Sequence, residues 1–341
     1  MPETRFCITA IGTAFRSSDT IMPYVKQQAL GNGCDYAEVA SATTEEEVIA
    51  AAREADGLLF RTGVPPSRRI FESLPRCKIM ASMGVGFAGD WKAATRNNTI
   101  VTNVPDVCIN VVAEQTMAHL LATQRGIAMM DRKLRAGLPW EKVKKLEYTL
   151  PQLSENTLGL IGFGRIARAV AVRAKVFGMR ILAYSPSLDE RTAFAHGVQL
   201  ASIDEILERS DIVSLHCPLT EQTKGLIGEE EFRRMKPRAI LINTTRGEVV
   251  DREALLRALR ENWILAASLD APPGEPLKPG DPLLELDNVL ISPHAGGGFD
   301  RLHFDSTNSA LQGILEVARG RLPRLESILN PEVLKTLPQA Q

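Results

Sequence analysis

The chain lacks an excess of charge of either sign. Its 341 residues include 40 Lys and Arg against 41 Asp and Glu, which leaves a formal net charge of −1. Proteins that bind nucleic acids or anionic membrane surfaces use clustered positive charge to meet phosphate groups. The balance therefore gives no reason to expect a nucleic acid or a membrane surface as partner.

Long apolar runs are also missing. No uninterrupted apolar stretch approaches the roughly 20 residues that a helix needs to cross a bilayer. The first residues, Met1 to Arg5, run directly into a strand-like segment and lack the apolar region of a signal peptide. We therefore expect a chain that acts away from membranes.

The cysteines form no CxxC pair. They are scattered at Cys7, Cys34, Cys77, Cys108 and Cys217. Disulfide frameworks and zinc sites normally show paired or regularly spaced cysteines. The pattern predicts reduced thiols, a cytoplasmic location and no metal site.

Short apolar strands alternate with amphipathic segments in two sets, which is typical of parallel α/β architecture. The first set of predicted strands is Phe6–Ile11, Gly57–Phe60, Lys78–Ser82 and Ile100–Thr102. The second set is Leu158–Gly162, Arg180–Tyr184, Ile212–His216, Ala239–Asn243, Ile264–Leu269 and Val289–Ser292. Nearly continuous apolar runs, as in the second set, are expected where helices cover both faces of a sheet. A chain of 341 residues suits two such domains.

A long helix is predicted over about residues 106–135. Its apolar residues recur at helical spacing: Val107, Val111, Val112, Met117, Leu120 and Leu121. Such a stripe indicates core packing or a subunit interface, so we expect a homodimer. Further helices are predicted over residues 251–261 and about 300–319, the last of them returning to the first domain.

The segment from Thr157 to Ala167 is a strand that breaks into glycines and then opens a helix. In the spacing G-x-G-x-x-A, Gly162 permits the tight turn, Gly164 lets the backbone approach a pyrophosphate, and Ala167 keeps the helix close to the sheet. Glycine also occurs in purely structural turns. The following strand over 180–184 completes a βαβ unit, which favours a dinucleotide site.

The choice between NAD and NADP stays open at this stage. An acidic residue about 20 positions past the glycines normally binds the adenosine ribose. Here the strand ends in Tyr184, Ser185 and Pro186 without a carboxylate. Ser185 can bond a 2′-hydroxyl and would not repel a 2′-phosphate, and neither Arg165 nor Arg191 is clearly placed to bind one.

Three polar segments follow the last three strands of the second set. They are Asn243–Gly247, Asp270–Pro276 and Ser292–Gly297. In doubly wound sheets, ligands bind outside the carboxyl ends of the strands, so these segments should converge on the cofactor. Taken singly, an Arg, a Glu or a His in a loop is more often structural than functional. Their ordered occurrence on successive strand ends favours function.

These segments together resemble the D-isomer-specific 2-hydroxyacid dehydrogenases, which include phosphoglycerate and hydroxypyruvate/glyoxylate-type enzymes. The similarity covers most of the chain. It is carried by Gly162–Ala167, Ser214–Thr220, Asn243–Gly247, Asp270–Pro276, Pro293-His294, Met83–Phe87, Asn103–Pro105 and Ala113-Glu114. The resemblance implies hydride transfer between NAD(H) or NADP(H) and a small 2-oxo or 2-hydroxy acid, and it favours NAD.

The resemblance also implies roles for individual residues. Arg246, Glu275 and His294 match the catalytic residues: His294 exchanges the proton, Glu275 orients the imidazole and favours its charged form, and Arg246 binds the substrate carboxylate. The implied substrate-binding residues are Arg61, Val85, Gly86, Arg246 and His294. The implied cofactor-binding residues are Gly162, Phe163, Gly164, Arg165, Ile166, Ser185, Cys217, Pro218, Thr223, Thr244, Thr245, Asp270, His294 and Gly296.

The predicted fold is α/β, with two doubly wound parallel-sheet, Rossmann-like domains that are discontinuous in sequence and separated by a cleft. Residues 1–105 and 298–341 would form a flavodoxin-like substrate-binding domain, and residues 106–297 the dinucleotide-binding Rossmann domain. Remaining histidines are interpreted as structural: His119 in the long helix, His196 and His303 in polar segments, and His216 on a strand end.

Three departures from the family pattern qualify these expectations. Ala271-Pro272-Pro273 replaces an aromatic residue that often follows the aspartate, and Phe87–Trp91 is shorter and less polar than usual. Both would affect substrate preference, and the third, Ser185 in place of an acid, affects cofactor choice. Two other functions stay open: oxidation of another small anion such as phosphite, and a non-catalytic NAD(H)-sensing protein. Glu275 argues against formate, because formate dehydrogenases of this type carry glutamine there.

Overall fold

The computed structural model describes residues 5–12, 20–86, 89–145 and 152–337. The expectations for Met1 to Thr4 and for Phe87 and Ala88 lie outside these residues. The chain forms two compact units: unit 1 comprises Met1–Cys108 and Phe299–Gln341, and unit 2 comprises Ile109–Gly298. In the described parts of both units, no helix combines the length and the apolar character needed to span a bilayer.

Unit 1 contains a five-stranded parallel sheet in the order β2-β1-β3-β4-β5. Its strands are β1 (Cys7–Gly12), β2 (Asp35–Val39), β3 (Gly57–Arg61), β4 (Ile79–Ser82) and β5 (Ile100–Thr102). Its first helices are α1 (Ile21–Gly31), α2 (Glu45–Ala52), α3 (Arg68–Ser73) and α4 (Trp91–Arg96). This order is that of flavodoxin-like folds, in which the second strand lies at one edge of the sheet.

Unit 2 contains a seven-stranded parallel sheet in the order β12-β11-β10-β9-β6-β7-β8. The strands are β6 (Thr157–Ile161), β7 (Arg180–Tyr184), β8 (Gln199–Leu200), β9 (Ile212–Leu215), β10 (Ile240–Asn243), β11 (Ala266–Leu269) and β12 (Val289–Ile291). The helices are α5 (Ile109–Gln124), α6 (Ile127–Arg135), α7 (Trp140–Lys144), α8 (Arg165–Val176), α9 (Glu190–Ala195), α10 (Ile203–Arg209), α11 (Glu229–Arg234) and α12 (Arg252–Arg260). The order reverses between β6 and β9, the position at which Rossmann sheets bind dinucleotides.

The final helix, α13 (Leu302–Ala318), belongs to unit 1 and packs on α1, β3 and β4. Its contact with the sheet is close. A Cβ added to Gly57 of β3 would lie 2.6 Å from a methyl carbon of Ile314. Only glycine leaves room for the helix at this point.

The predicted fold class is confirmed: both sheets are parallel, and both belong to α/β units. All the predicted strands are present, with ends that differ from the expectation by at most two residues. Every residue of β6, β9, β10 and β11 is buried. These continuous apolar runs form the interior of a sheet whose two faces are both covered.

The single helix predicted over 106–135 is wrong. The chain forms α5 and α6, and Gly126 between them has a φ of +60°. Glycine adopts this left-handed conformation without the steric cost of a Cβ, so it ends one helix and redirects the chain.

Two edge strands, β2 and β8, were not predicted. β2 has a mostly exposed pattern and contains Asp35 and Glu38, and β8 has only two residues. Edge strands are covered less than central ones and do not need a continuous apolar run. The apolar signal that identified the central strands is therefore absent from these two.

Candidate active site

A glycine turn follows β6 at the carboxyl edge of the sheet in unit 2. Gly162 has a φ of +95°, and a Cβ added there would lie 2.5 Å from the carbonyl carbon of His216. L side chains avoid this conformation and backbone atoms cannot easily yield, so only glycine fits. The backbone nitrogen of Cys217 lies 2.6 Å from the same point, so the structure brings Cys217 against the turn.

Helix α8 begins directly after this turn with its first N–H groups uncapped by a side chain, since its N-cap residue is Gly164. A Cβ added to Gly164 would meet nothing within 4 Å in the described part of the chain. The first turn, with Arg165 and Ile166, therefore presents backbone donors and the positive end of a helix dipole to open space. Phe163 and Ala167 are buried and hold the turn against the sheet. These residues fit the pyrophosphate of a dinucleotide.

The loop after β9 is closed by its own hydroxyl groups. Thr223 Oγ1 donates to the carbonyl oxygen of Pro218 at 2.6 Å and accepts from the N–H of Thr220 at 2.8 Å. Cys217 is buried at the start of this loop, and burial raises the pKa of its thiol. The thiol is therefore a packing group. The contact with the glycine turn is made by the backbone of Cys217.

Ser185 lies just beyond β7, the strand next to β6. The N–H of Gly162 donates to the carbonyl of Tyr184 at 2.8 Å, which fixes the glycine turn beside this strand end. The Ser185 hydroxyl lies 3.5 Å from that of Ser187. Ser185 therefore lies at the strand end where a Rossmann sheet binds the adenosine ribose. Its effect on the preference for NAD or NADP stays a prediction.

The turn that carries Arg246 is organised by Asn243 at the end of β10. The Asn243 Oδ1 accepts from the N–H and the hydroxyl of Thr245, at 3.0 and 2.9 Å, and its Nδ2 donates to the Arg246 carbonyl at 2.9 Å. Thr244 is buried, with its hydroxyl 3.0 Å from that of Thr116 on α5. The Arg246 side chain is exposed and donates to the Thr245 carbonyl at 2.7 Å.

Gly247 holds this turn against the loop after β11. A Cβ on Gly247 would lie 2.5 Å from the carbonyl oxygen of Pro272 and 2.7 Å from the Cα of Pro273. The loops that carry Arg246 and Glu275 are therefore in direct backbone contact. Arg252 on α12 stabilises the Glu275 loop, because its Nη2 donates to both carboxylate oxygens of Asp281, each at 2.8 Å.

Glu275 and His294 form a pair within unit 2. The His294 Nδ1 lies 2.8 Å from one carboxylate oxygen of Glu275 and 3.1 Å from the other. An ionised carboxylate only accepts hydrogen bonds, so Nδ1 carries a proton and donates it to Glu275. The Nε2 atom is then the ring nitrogen available to exchange a proton with a bound molecule.

Asp270 fixes the loop that carries His294. Its carboxylate accepts from the N–H groups of Ala295 and Gly296, both at 2.9 Å, and its carbonyl accepts from the His294 N–H at 2.8 Å. Asp270 is 2% exposed, and a Cβ on Gly296 would lie 2.7 Å from its Oδ2. Asp270 and Gly296 are thus in contact, and their predicted part in binding the nicotinamide stays a prediction.

The predicted substrate residues of unit 1 lie at the carboxyl ends of its strands. Arg61 ends β3, and its Nη1 lies 3.3 Å from the Nδ1 of His303 on α13. Val85 and Gly86 follow β4 and are exposed. Asn103 holds their loop, because its Nδ2 donates to the Val85 carbonyl at 2.7 Å.

The sequence pattern does not reveal the partners of four polar residues of the two units. Asn243 and Asn103 lie inside segments that the pattern indicated, but their amides bond to the neighbouring backbone, which no spacing reveals. His303 was interpreted as structural, yet it contacts the predicted substrate residue Arg61. His119 is buried and bonded to Ser268 and Ser292, which are remote in sequence.

His216 is half-buried and has a partner two residues away on the same strand end. Its Nε2 lies 2.9 Å from the Ser214 hydroxyl, and burial lowers its pKa to about 4. Within the residues that the structure describes, no group of three or more His, Cys, Asp or Glu side chains has an arrangement that could hold a metal ion.

Known proteins share both the sequence and the fold of this chain. Residues 117–296 match the family model of the D-isomer specific 2-hydroxyacid dehydrogenase, NAD binding domain. A glyoxylate reductase of Korarchaeum cryptofilum is 39% identical over 299 residues, covering 86% of this chain and 89% of the relative. A D-3-phosphoglycerate dehydrogenase of Methanocaldococcus jannaschii is 38% identical over 295 residues, covering 86% of this chain and 55% of the relative.

A solved structure agrees with these matches. The NAD-complexed form of a D-isomer specific 2-hydroxyacid dehydrogenase from Lactobacillus delbrueckii ssp. bulgaricus has a TM-score of 0.79 and 26% identity to this chain, with 95% of this chain and 100% of that chain covered. Sequence, sheet order and glycine turn agree, and the chain belongs to the D-isomer specific 2-hydroxyacid dehydrogenase family.

Proposed function

We propose that this protein is an NAD(P)-dependent oxidoreductase that transfers a hydride between its cofactor and a small 2-oxo or 2-hydroxy acid. The observation that carries the proposal is the Glu275–His294 pair, with Nδ1 2.8 Å from the carboxylate, in the same unit as an open glycine turn. An acid–base pair beside a dinucleotide site is the minimum that carbonyl reduction by hydride requires.

The cofactor is NAD(H) or NADP(H), held by unit 2. Gly162, Gly164 and the first turn of α8 would bind the pyrophosphate, Ser185 the ribose, and the loop from Cys217 to Thr223 would border the nicotinamide half. The cofactor supplies or accepts the hydride. The fit is supported by the Cβ positions at the turn, because Gly162 admits no side chain and Gly164 faces open space.

His294 is the proposed proton donor in the reductive direction. As the carbonyl carbon receives the hydride, its oxygen gains the electron pair of the C=O bond and takes the proton from Nε2 of His294. Glu275 holds the ring through its hydrogen bond to Nδ1 and so fixes the orientation of Nε2. In the oxidative direction the same nitrogen takes the proton back.

Arg246 is the proposed anchor of the substrate carboxylate. Its guanidinium offers several N–H donors in one plane, which suits a carboxylate better than a lysine does. The exposed end of Arg246 and the backbone contact of its turn with the Glu275 loop support this role. Arg61 and the backbone of Val85 and Gly86, all in unit 1, remain predicted substrate-binding residues.

The substrate class that we favour is a 2-oxo acid of glyoxylate or hydroxypyruvate size. The relative from Korarchaeum cryptofilum, with 39% identity, is named a glyoxylate reductase, and this is the support for the choice.

The test is a panel of 2-oxo acids assayed with NADH and with NADPH at equal concentration. We expect glyoxylate and hydroxypyruvate to be reduced, with little turnover of formate. Phosphite in the oxidative direction examines the alternative donor. Tight cofactor binding without turnover of any compound would favour the sensing protein instead.

We further propose a homodimer in a reducing, cytoplasmic compartment. The dimer is supported by the apolar surface of α6 and α7, where Ile127 is 57% and Trp140 is 67% exposed. The compartment is supported by the cysteines, all of which are free thiols. Sedimentation of the wild type and of a Trp140→Glu, Ile127→Glu variant tests the dimer, because two charges on an interface would dissociate it.

A further inference from the structure

A hydrogen-bonded series of buried and half-buried polar side chains connects helix α5 to the loop that carries His294. His119 lies 2.7 Å from the Ser268 hydroxyl through Nδ1, and 2.7 Å from the Ser292 hydroxyl through Nε2. Ser292 in turn donates to the carboxylate of Asp270. Thr123, one turn further along α5, donates to Ser268 at 3.0 Å.

The hydrogen atoms of this series have one consistent direction. The Asp270 carboxylate can only accept, so the single hydroxyl proton of Ser292 is used there. Ser292 must then accept from His119, which places a proton on Nε2. The unprotonated Nδ1 of His119 accepts from Ser268, whose oxygen accepts from Thr123. The hydrogen bonds therefore run in one direction, from Thr123 through Ser268, His119 and Ser292 to Asp270.

His119 is a neutral member of this series. It is 3% exposed, and burial lowers its pKa. A neutral imidazole with one donor and one acceptor nitrogen is the form that the bonds to Ser268 and Ser292 require. Gln115, also on α5, donates a second hydrogen bond to Ser292 at 3.0 Å.

The last residue of this hydrogen-bonded series, Asp270, contacts a residue with a strained backbone. His294 has a φ of +52°, in the left-handed region that residues with a Cβ rarely adopt. Such conformations are strained and persist only where surrounding contacts fix them. Here the contacts come from Asp270, which accepts from the backbone N–H groups of His294, Ala295 and Gly296.

Simple packing of α5 on the sheet does not need these groups. Apolar side chains would fill the same space between α5 and β11 without the desolvation cost of the buried His119 imidazole, the buried Ser268 hydroxyl and the buried Asp270 carboxylate. A satisfied polar network in a core instead fixes one arrangement of the groups that it joins. The group at the end of this one is the loop of His294.

We propose that His119 and Ser292 are positioning residues that, through Asp270, hold His294 in its left-handed conformation with Nε2 in place for proton transfer. The proposal rests on the proposed function for its kinetic consequence, but the conformational part concerns the protein without cofactor or substrate.

The first experiment follows amide hydrogen exchange in the protein without ligand. In His119→Leu we expect exchange at the amides of Ala295 and Gly296 to rise about tenfold, because the carboxylate that accepts from them loses its support. His119→Gln, which keeps a donor and an acceptor, should restore most of the protection. The matched control is Leu120→Ala on the same helix, a core change without a bond to this loop, which should leave these two amides unchanged relative to those of β6.

The second experiment measures kcat, the Kd of the cofactor and the kinetic isotope effect with cofactor deuterated at the transferred position. Ser292→Ala should lower kcat about 10- to 100-fold, as small displacements of a reacting group do, and raise the isotope effect. The Kd should rise by a smaller factor than kcat falls, because the predicted pyrophosphate contacts at the glycine turn are untouched. A role in stability alone would lower the amount of folded enzyme and leave the isotope effect as in the wild type.

The outcomes separate the two proposals. If the wild type reduces no 2-oxo acid, the proposed function fails, whereas the exchange data still decide the positioning role. If the wild type is active and both His119→Leu and Ser292→Ala keep its exchange rates and isotope effect, the positioning role is overturned. Ser292→Ala removes only one oxygen atom and so decides the question even where His119→Leu fails to fold.

Discussion

The His294 imidazole meets the Glu275 carboxylate through Nδ1, at 2.8 Å from one oxygen and 3.1 Å from the other. The two residues are 19 positions apart and lie on loops after different strands. The contact fixes the tautomer of the ring and leaves Nε2 to carry the proton of the reaction. Replacement of either residue should therefore lower kcat more than it weakens cofactor binding.

Replacement of His294 tests this division. His294→Ala should lower kcat by about 10²–10⁴-fold, the usual contribution of a general acid. The Kd for NADH or NADPH, measured by fluorescence titration, should stay within about threefold of the wild type, because the pyrophosphate contacts are untouched. Unchanged turnover would remove His294 from the mechanism.

Arg246 is expected to act on both binding and chemistry. Arg246→Ala should raise KM for the 2-oxo acid and also lower kcat, since it holds the carboxylate and stabilises charge on the adjacent oxygen. Arg246→Lys should recover little, because an ammonium group cannot form the two parallel bonds of a guanidinium. A change in melting temperature with normal kcat and KM would contradict this assignment.

The two glycines of the turn should respond differently to a methyl group. Gly164→Ala meets open space in the protein without cofactor and should change its thermal stability little, yet weaken cofactor binding at least tenfold by blocking the pyrophosphate. Gly162→Ala would collide with backbone atoms 2.5 Å away and should destabilise the protein itself. Calorimetry with and without NADH distinguishes them, and equal cofactor affinity in Gly164→Ala and the wild type would refute the site.

Cofactor preference should depend on position 185. Ser185→Asp places a carboxylate at the end of β7, where it can accept from the ribose hydroxyls and repel a 2′-phosphate. The ratio of kcat/KM for NADH over NADPH should rise at least tenfold. The wild-type ratio, measured in the same assays, decides which cofactor the enzyme uses. A ratio that does not move would place the adenosine ribose elsewhere.

Stability should fall in mild acid because of the half-buried His216. Burial lowers the pKa of His216 from 6.5 to about 4, so the unfolded chain binds a proton at a pH where the folded chain does not. The free energy of unfolding should therefore decrease as the pH falls from about 6.5 to about 4, by up to roughly 3 kcal/mol from this group. His119, whose pKa is also lowered by burial, acts in the same direction.

Urea unfolding at several pH values measures this dependence. The variant His216→Asn lacks the titrating group and should show a shallower decrease over the same range. An identical slope in the variant and the wild type would mean that other groups cause the acid sensitivity.

Central strands and the loops after them were predictable because each depends on a local signal. A buried parallel strand needs an unbroken apolar run, and the turn after β6 needs a glycine at position 162. Both features can therefore be recognised within a few consecutive residues. The division of α5 from α6 was also local. Its signal, Gly126, was outweighed by the apolar periodicity that continues on either side of it.

The hydrogen-bonded series behind His294 was not predictable in the same way. His119 meets partners 149 and 173 residues away, and only the order of strands in the sheet brings them together. On a helix with apolar neighbours, a single histidine has no pattern of its own. Its partners Ser268 and Ser292 are likewise ordinary small residues at strand ends until the sheet is assembled.

The close packing of α13 on Gly57 affects the order in which unit 1 can fold during synthesis on the ribosome. The sheet of unit 1 is translated first, but the helix that covers β3 and β4 is made only after the whole of unit 2. Domains usually fold in the order in which they emerge. Here one apolar face of the first sheet stays uncovered until α13 follows, so we expect unit 1 to complete its core only after unit 2 has been synthesised.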